Sequence, residues 1–244
     1  MFFETLAQRL IVALDLKVSQ KDPGLVVREA GNYLRRMCDA LAPLEVTIKI
    51  NTLARILGIR AVSIIHDHGL HCFLDLKLFD IGNTLENEAA WIQSCEPSIL
   101  TVAERVKPAA FTEIARALPK TLVLPVDPLT DLTDEDFRGF GFAGRSDAVT
   151  RFFTRIWQKQ LPGTICAPVD IALAPEGFRR GATFLTPAVK PAWSLGDDNS
   201  INALTPAAAI KAGATAIIVG RGITATDEPL EAAKRTLEEL AGAL

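Results

Sequence analysis

Cysteine is scarce in this chain of 244 residues, and its four cysteines lie far apart in the sequence. No CxxC pair is present, so the spacing indicates neither a zinc site nor a disulfide framework. We therefore expect reduced thiols in the core of a cytoplasmic protein. The cysteines are Cys38, Cys72, Cys95 and Cys166.

The chain also lacks a long hydrophobic run and an excess of positive charge. No apolar stretch reaches the roughly 20 residues that a membrane-spanning helix needs. The first residues, MFFETLAQRLIVALDL, contain neither a basic segment nor a small-residue cleavage site, so we expect no signal peptide. The net charge is −3, with lysine and arginine scattered along the chain. This balance argues against nucleic acid as a partner.

Short apolar runs alternate with longer helical segments along the whole chain. The runs are rich in valine, isoleucine, leucine and phenylalanine and are bounded by glycine, proline and polar residues, which is typical of buried strands. Eight such runs predict an α/β protein, a (β/α)8 TIM barrel in which residues 1–244 form a single domain. An open doubly wound sheet is the alternative, and the absence of GxGxxG after the first strand argues against it. The predicted strands are residues 10–16, 45–51, 71–78, 98–103, 121–127, 164–169, 183–188 and 216–221.

Charged residues stand at the ends of the first three predicted strands. Side chains alternate between the two faces of a strand, so in FLDLKL the leucines face the helices, while Asp75 and Lys77 face the barrel interior. The same alternation points Lys49 inward in VTIKIN and Asp15 inward in IVALDL, and Asp80 follows in a loop. Barrel enzymes have their active sites at these C-terminal strand ends. A salt-bridge network that fills the barrel is the purely structural alternative.

Lysines interleaved with carboxylates have a specific chemical use. Negative charge on both sides of Lys77 favours its ammonium form. A preorganised ammonium group stabilises a developing carbanion and then donates a proton to it. A carboxylate beside a carboxylate of the substrate favours loss of carbon dioxide. The charged cluster is therefore suited to a decarboxylation.

The segment DLKLFDIGNT at 75–84 resembles the D-x-K-x-x-D-I-x-N-T motif of orotidine 5′-phosphate decarboxylases. ALD at 13–15 and IKIN at 48–51 resemble the first two strands of that family. The resemblance implies a cofactor-free, metal-free barrel that forms a homodimer. It also implies conversion of orotidine 5′-monophosphate to UMP, the last step of de novo pyrimidine synthesis.

The same resemblance assigns catalytic roles to four charged residues. Lys49, Asp75, Lys77 and Asp80 are expected to form a tetrad in which Lys77 protonates C6 of the pyrimidine and Asp75 lies beside the departing carboxylate. Asp80 and Thr84 are expected to reach into the active site of the neighbouring subunit. The resemblance thus implies that only the dimer is active.

Further residues are assigned to the substrate by the same likeness. Asp15, with Lys49, is expected to hold the ribose hydroxyls, and Thr130 in DPLTDL is expected to contact the pyrimidine. The family often has LTS where this chain has Leu129, Thr130 and Asp131, so the aspartate is a departure.

The end of the eighth strand, VGRGIT, predicts a phosphate site. Glycines such as Gly220 let backbone N–H groups approach an anion, and Arg221 can bind one through two hydrogen bonds. Barrels often bind phosphate between the loops that follow strands seven and eight. FLTPAVKP resembles the family's T-P-G-I-R-P loop, with Pro187 at the first proline, Ala188 in place of glycine and Lys190 in place of arginine.

The next loop departs further from the family. GDDNSINALTP at 196–206 stands where a G-D-D-Q-x-R…T-P stretch is usual, and its glutamine and arginine are missing. Asn199 takes the place of the glutamine. These changes concern substrate affinity and loop closure more than the chemical step. Trp193 lies beside this loop and is a candidate cover for the site.

Two other functions stay open at this point. A metal-dependent sugar-phosphate decarboxylase or aldolase of the same superfamily shares D-x-K-x-x-D but usually has an acidic metal ligand where Lys49 stands. A non-catalytic nucleotide-binding homologue is suggested by the altered 196–206 loop. His66, His68 and His71 precede the third strand, at the non-catalytic end, so they predict no metal site.

Overall fold

The computed structural model describes residues 3–19, 21–127, 132–194 and 204–243. Eight parallel strands alternate with helices along these residues, as the sequence predicts. The sixth strand differs most from its predicted range of 164–169, because Pro168 begins a 3-10 helix and ends the extended run early. The strands are β1 (Leu10–Leu14), β2 (Thr47–Ile50), β3 (His71–Leu78), β4 (Ile99–Ala103), β5 (Leu122–Val126), β6 (Gly163–Ile165), β7 (Thr183–Thr186) and β8 (Ala216–Val219).

The strands form one sheet in the order β5-β4-β3-β2-β1-β8-β7-β6, which curls into a nearly closed barrel. Within the described ranges no backbone ladder joins the two edge strands, β5 and β6. Pro125 in β5 lacks an N–H group, and the hydroxyl of Thr164 in β6 donates instead to the Pro125 carbonyl oxygen at 2.8 Å. A side-chain hydrogen bond thus joins the edges where the ladder is missing.

The helices pack around the outside of the barrel, and local signals set their starts. Asp22 caps the first helix by accepting the Leu25 N–H, with Pro23 in the first turn. No helix in the described part of the chain is long and apolar enough to cross a membrane. The α-helices are α1 (Pro23–Leu41), α2 (Thr52–Leu57), α3 (Arg60–Asp67), α4 (Gly82–Gln93), α5 (Pro108–Ala117), α6 (Asp134–Gly139), α7 (Arg145–Gln158), α8 (Glu176–Arg179), α9 (Pro206–Lys211), α10 (Arg221–Thr224) and α11 (Pro229–Ala241). Short 3-10 helices span Ala7–Arg9, Ala42–Leu44, Pro168–Leu173 and Ala192–Ser194.

Apolar side chains form two layers, one on each side of the sheet. In β1, Val12 and Leu14 pack in the outer layer against the helices, while Ile11 and Ala13 belong to the layer inside the barrel. The leucines of β3 also belong to the outer layer, as the alternation in FLDLKL predicts. The inward positions at the carboxyl ends of the strands are therefore left for polar side chains.

Candidate active site

The third strand carries a bulge where two of the predicted catalytic residues lie. The pairing of β3 with β4 shifts register between Leu74 and Leu78. Within this stretch Lys77 adopts a left-handed backbone conformation, with φ of 52°. Such a conformation is unfavourable for a residue with a side chain and is concentrated at functional sites, where surrounding contacts enforce it.

Asp75 is the centre of the charged cluster. Asp75 is only 7% exposed, and its Oδ2 accepts hydrogen bonds from Lys49 Nζ at 3.2 Å and Lys77 Nζ at 2.7 Å. Burial alone raises the pKa of Asp75, but the positive charges of the two lysines and the hydrogen bonds from Lys77 and Thr101 outweigh it. The pKa therefore lies below its ordinary value, and Asp75 is a carboxylate at neutral pH.

Thr101, on β4, bridges the two predicted catalytic residues of the bulge, Asp75 and Lys77. Its hydroxyl donates to Asp75 Oδ1 at 2.8 Å and accepts the backbone N–H of Lys77 at 2.9 Å. Since Asp75 Oδ1 is occupied in this way, Oδ2 is left to face both ammonium groups. Thr101 is not among the site residues predicted from the sequence. It could have been recognised as the polar residue at an inward position of the apolar run SILTVA.

Two residues that follow β2 hold the backbone of the bulge from the other side. The side-chain amide of Asn51 donates to the carbonyl oxygen of Asp75 at 2.6 Å. Arg55 donates to the carbonyl oxygen of Leu76 at 3.1 Å and to the Asn51 side chain at 3.3 Å. These bonds satisfy carbonyl groups that the irregular ladder leaves unpaired. They were also missed in the sequence analysis.

A cleft of about 620 Å³ at the carboxyl ends of the strands brings together five of the predicted site residues. Asp15 lies one residue beyond β1 and is exposed in this cleft, so it is a loop residue and not the strand residue that the sequence predicts. The predicted residues that line the cleft are Asp15, Lys49, Pro187, Gly220 and Arg221. Lysine and arginine side chains thus stand on both sides of a space that fits an anionic ligand.

Lys77 lines a second, larger cleft of about 820 Å³ on the β4 and β5 side of the barrel. Much of its wall is aromatic, including Phe79, Phe137 and Phe142. The two clefts are linked through the Asp75 carboxylate, which contacts the lysine of each. Lys49 and Lys77, which the sequence predicts in one cluster, share Asp75 as a partner, but their side chains line different clefts.

Asp80 does not join the cluster within its own chain. It is exposed, and its Oδ1 accepts the N–H of the next residue, Ile81, at 2.7 Å. Phe79 and Ile81 on either side are 68% and 72% exposed, more than any other large apolar side chain in the part of the chain that the structure describes. Thr84 is half-buried in the first turn of α4.

Two predicted site residues, Thr130 and Asn199, lie outside the described residues. Within the described ranges no group of three or more histidine, cysteine or acidic side chains is arranged to hold a metal ion. His68 instead contacts the Ile64 carbonyl oxygen and Asp39, and His71 lies near Gln8 and Ser98.

Ala188 is the second strained position of the site, with φ of 59°. We expect Ala188→Gly to raise the free energy of unfolding by about 1 kcal/mol, because glycine adopts this conformation without steric conflict. Urea unfolding followed by circular dichroism measures the change. Ala209→Gly, inside helix α9, is the control and is expected to lower the free energy of unfolding by at least that amount, because it also removes a buried methyl group. A less stable Ala188→Gly protein contradicts the prediction.

The chain is similar to known proteins both in sequence and in fold. A model of the Orotidine 5'-phosphate decarboxylase / HUMPS family matches residues 8–236. Proteins named orotidine 5'-phosphate decarboxylase from a Caulobacter species and from Halorhodospira halophila are each 33% identical, over 96% of this chain and 97% of theirs. The crystal structure of orotidine 5'-phosphate decarboxylase from Lactobacillus acidophilus has a TM-score of 0.69 at 22% identity, covering 95% of this chain and 98% of that one. The structural likeness confirms the (β/α)8 barrel.

Proposed function

The chain belongs to the orotidine 5′-phosphate decarboxylase / HUMPS family, and we propose that it is a carboxy-lyase that converts orotidine 5′-monophosphate to UMP and carbon dioxide. The observation that carries the proposal is the buried Asp75 carboxylate with the ammonium groups of Lys49 and Lys77 on one of its oxygens. We propose residues 1–244 as one catalytic domain. We also propose a cytoplasmic location, which suits the four buried free thiols.

The chemical step needs one carboxylate and one ammonium group at the reacting carbon. With the substrate carboxylate beside Asp75, the bond between C6 and that carboxylate breaks, carbon dioxide leaves, and the electron pair stays on C6. The Lys77 ammonium stabilises the developing carbanion and then transfers a proton to C6. Lys77 regains its proton from water. The step balances without a cofactor.

The remainder of the substrate is proposed to occupy the 620 Å³ cleft. Asp15 and Lys49 are suited to the ribose hydroxyls, because they stand between the Asp75 cluster and the eighth strand. Arg221, Gly220 and Pro187 are suited to the phosphate at the far side. Thr130 and Asn199 are proposed as further substrate contacts on the resemblance alone.

We propose that the active form is a homodimer in which Asp80 and Thr84 serve the neighbouring active site. The supporting observation is the pair of exposed apolar side chains, Phe79 and Ile81, that flank Asp80. Contiguous apolar side chains that are exposed on a single chain mark surfaces where proteins associate. In this arrangement Asp80 completes the tetrad of Lys49, Asp75 and Lys77.

Turnover of orotidine 5′-monophosphate is the direct test. Purified, EDTA-treated protein should consume it, as followed by ultraviolet absorbance, and added magnesium should change nothing. No turnover at millimolar substrate refutes the proposal, and tight UMP binding without turnover identifies a non-catalytic homologue. Magnesium-dependent activity on a sugar phosphate identifies the other branch of the superfamily.

Thr101→Val tests the bridge between Asp75 and Lys77. Valine has nearly the same shape but can neither donate to Asp75 nor accept the Lys77 N–H, so the carboxylate and the bulge lose a fixed orientation. We expect kcat to fall about ten- to hundredfold, with little change in KM, because small displacements of catalytic groups reduce the rate by such factors. Thr101→Ser keeps the hydroxyl and is expected to retain most of the activity. An unchanged kcat in Thr101→Val refutes the positioning role.

A further inference from the structure

The segment that follows β7, residues 187–194, is attached to the last helix of the chain by two contacts. The guanidinium of Arg235 in α11 lies 4.1 Å from the centre of the Trp193 ring. One turn further along the same helix, the Glu239 carboxylate accepts the backbone N–H of Ala192 at 3.1 Å and 3.2 Å. Residues four apart on a helix share one face, so both contacts come from the same side of α11.

The same segment is also held against the short helix that begins at Arg221. A Cβ atom added at Gly222 would lie 2.9 Å from Cδ of Pro191 and 3.1 Å from Oγ of Ser194. Residues 187–194 and the start of α10, which both line the cleft, are therefore in contact at this glycine. On its other side the segment is bonded to Leu204, which donates to the Ala188 carbonyl oxygen at 3.1 Å and accepts the Lys190 N–H at 2.9 Å.

Lys190 and Trp193 of this segment line the 620 Å³ cleft together with Arg221. The placement of the Lys190 cation relative to the Arg221 cation therefore depends on how firmly residues 187–194 are held. A wall that is already ordered loses less conformational entropy when it binds a ligand, which strengthens binding. Contacts that lie outside the cleft can in this way raise affinity for an anion inside it.

We propose that Arg235 and Glu239 are positioning residues for the phosphate group of the substrate. Through Trp193 and Ala192 they hold the Lys190 wall of the cleft at a fixed distance from Arg221, without touching the substrate themselves. The inference rests on the proposed function for the identity of the substrate. It assigns to the outer helix α11 a role in affinity for the nucleotide and none in the chemical step.

Arg235→Gln removes the cation over the Trp193 ring and tests the inference. We expect KM for orotidine 5′-monophosphate to rise roughly fivefold, the factor that corresponds to a cation–π contact of about 1 kcal/mol. The kcat for this substrate is expected to stay unchanged. The kcat/KM for orotidine, which lacks the phosphate, is also expected to stay unchanged. Arg235→Lys keeps a cation over the ring and should restore most of the affinity.

Lys234→Gln is the matched control, because it removes a cation from the same helix that pairs instead with Glu231. An Arg235→Gln enzyme with the KM of the wild type overturns the inference. Equal losses on orotidine 5′-monophosphate and on orotidine also overturn it, since they indicate a general structural effect. If the wild type turns over neither compound, the proposed function fails, and calorimetry with UMP decides the inference alone. A roughly fivefold weaker UMP complex in Arg235→Gln but not in Lys234→Gln supports it, and equal affinities refute it.

Discussion

Lys77→Ala is expected to lower kcat for orotidine 5′-monophosphate by about three orders of magnitude or more, because it removes the group that we propose as both the stabilising charge and the proton donor at C6. The ammonium lies 2.7 Å from a buried carboxylate, so its charge is held in place before substrate binds. Steady-state ultraviolet absorbance measures the rate. Lys120→Ala removes an exposed lysine that pairs with Glu96 at the surface, and this control should keep the rate of the wild type. A Lys77→Ala enzyme within tenfold of the wild type contradicts the assigned role.

The same substitution has a second, independent consequence for Asp75. Burial raises the pKa of Asp75 and positive charge lowers it, so removing one of the two ammonium groups moves the pKa upward. In the wild type the lowered pKa contributes stability that is present above the unfolded-state pKa and is lost as pH falls through the folded-state value. In Lys77→Ala this contribution is smaller, and its loss is complete at a higher pH. Urea unfolding between pH 3 and pH 7 at ~1 unit intervals measures the difference.

Asp80→Ala is expected to lower the activity by about a hundredfold or more when every subunit carries the change, because the proposed tetrad then lacks one carboxylate. Mixing it with Lys77→Ala is expected to restore activity. In a mixed dimer, the site that contains Lys77 receives an intact Asp80 from the partner, so one of its two sites is complete. Random exchange of subunits should then recover about a quarter of the wild-type activity.

Two affinity tags allow the mixed dimer to be isolated, and its activity should approach half that of the wild type. Mixing Lys77→Ala with Asp75→Ala is the control. Lys77 and Asp75 both serve the site of their own chain in this proposal, so each of the two sites in the mixed dimer lacks one of them and neither is complete. Isolated mixed dimers with no activity above the parent variants refute the proposal that Asp80 acts across the interface. Size-exclusion chromatography of each variant verifies that the dimers form.

The sequence predicted the barrel and the core of the site because both depend on local patterns. Period-2 alternation in FLDLKL placed the leucines outward and the carboxylate and ammonium inward, and the structure has this arrangement. The end of β1 was less predictable. Asp15 continues the alternation in sequence, but the strand ends at Leu14, and the aspartate lies in the loop.

The residues that hold the site together were missed because they act across long sequence separations. Thr101 contacts Asp75 and Lys77 from the neighbouring strand, and Asn51 and Arg55 bind the backbone of the bulge from the start of α2, which follows β2. Such tertiary hydrogen bonds hold the bulge in place. No residue type in this segment marks the position of the bulge in the sequence. Alternation alone therefore indicated which side chains meet, but not the backbone geometry that orients them.

The left-handed backbone of Lys77 places function and stability in opposition at one position. Glycine is the residue that would relax this conformation, and it is also one that cannot supply an ammonium group. Replacement by glycine would therefore relieve the backbone strain, but it would also remove the Lys77 ammonium group from the buried Asp75 carboxylate. Lys77 marks a point where the chain retains a less favourable backbone conformation because the proposed chemistry requires that side chain.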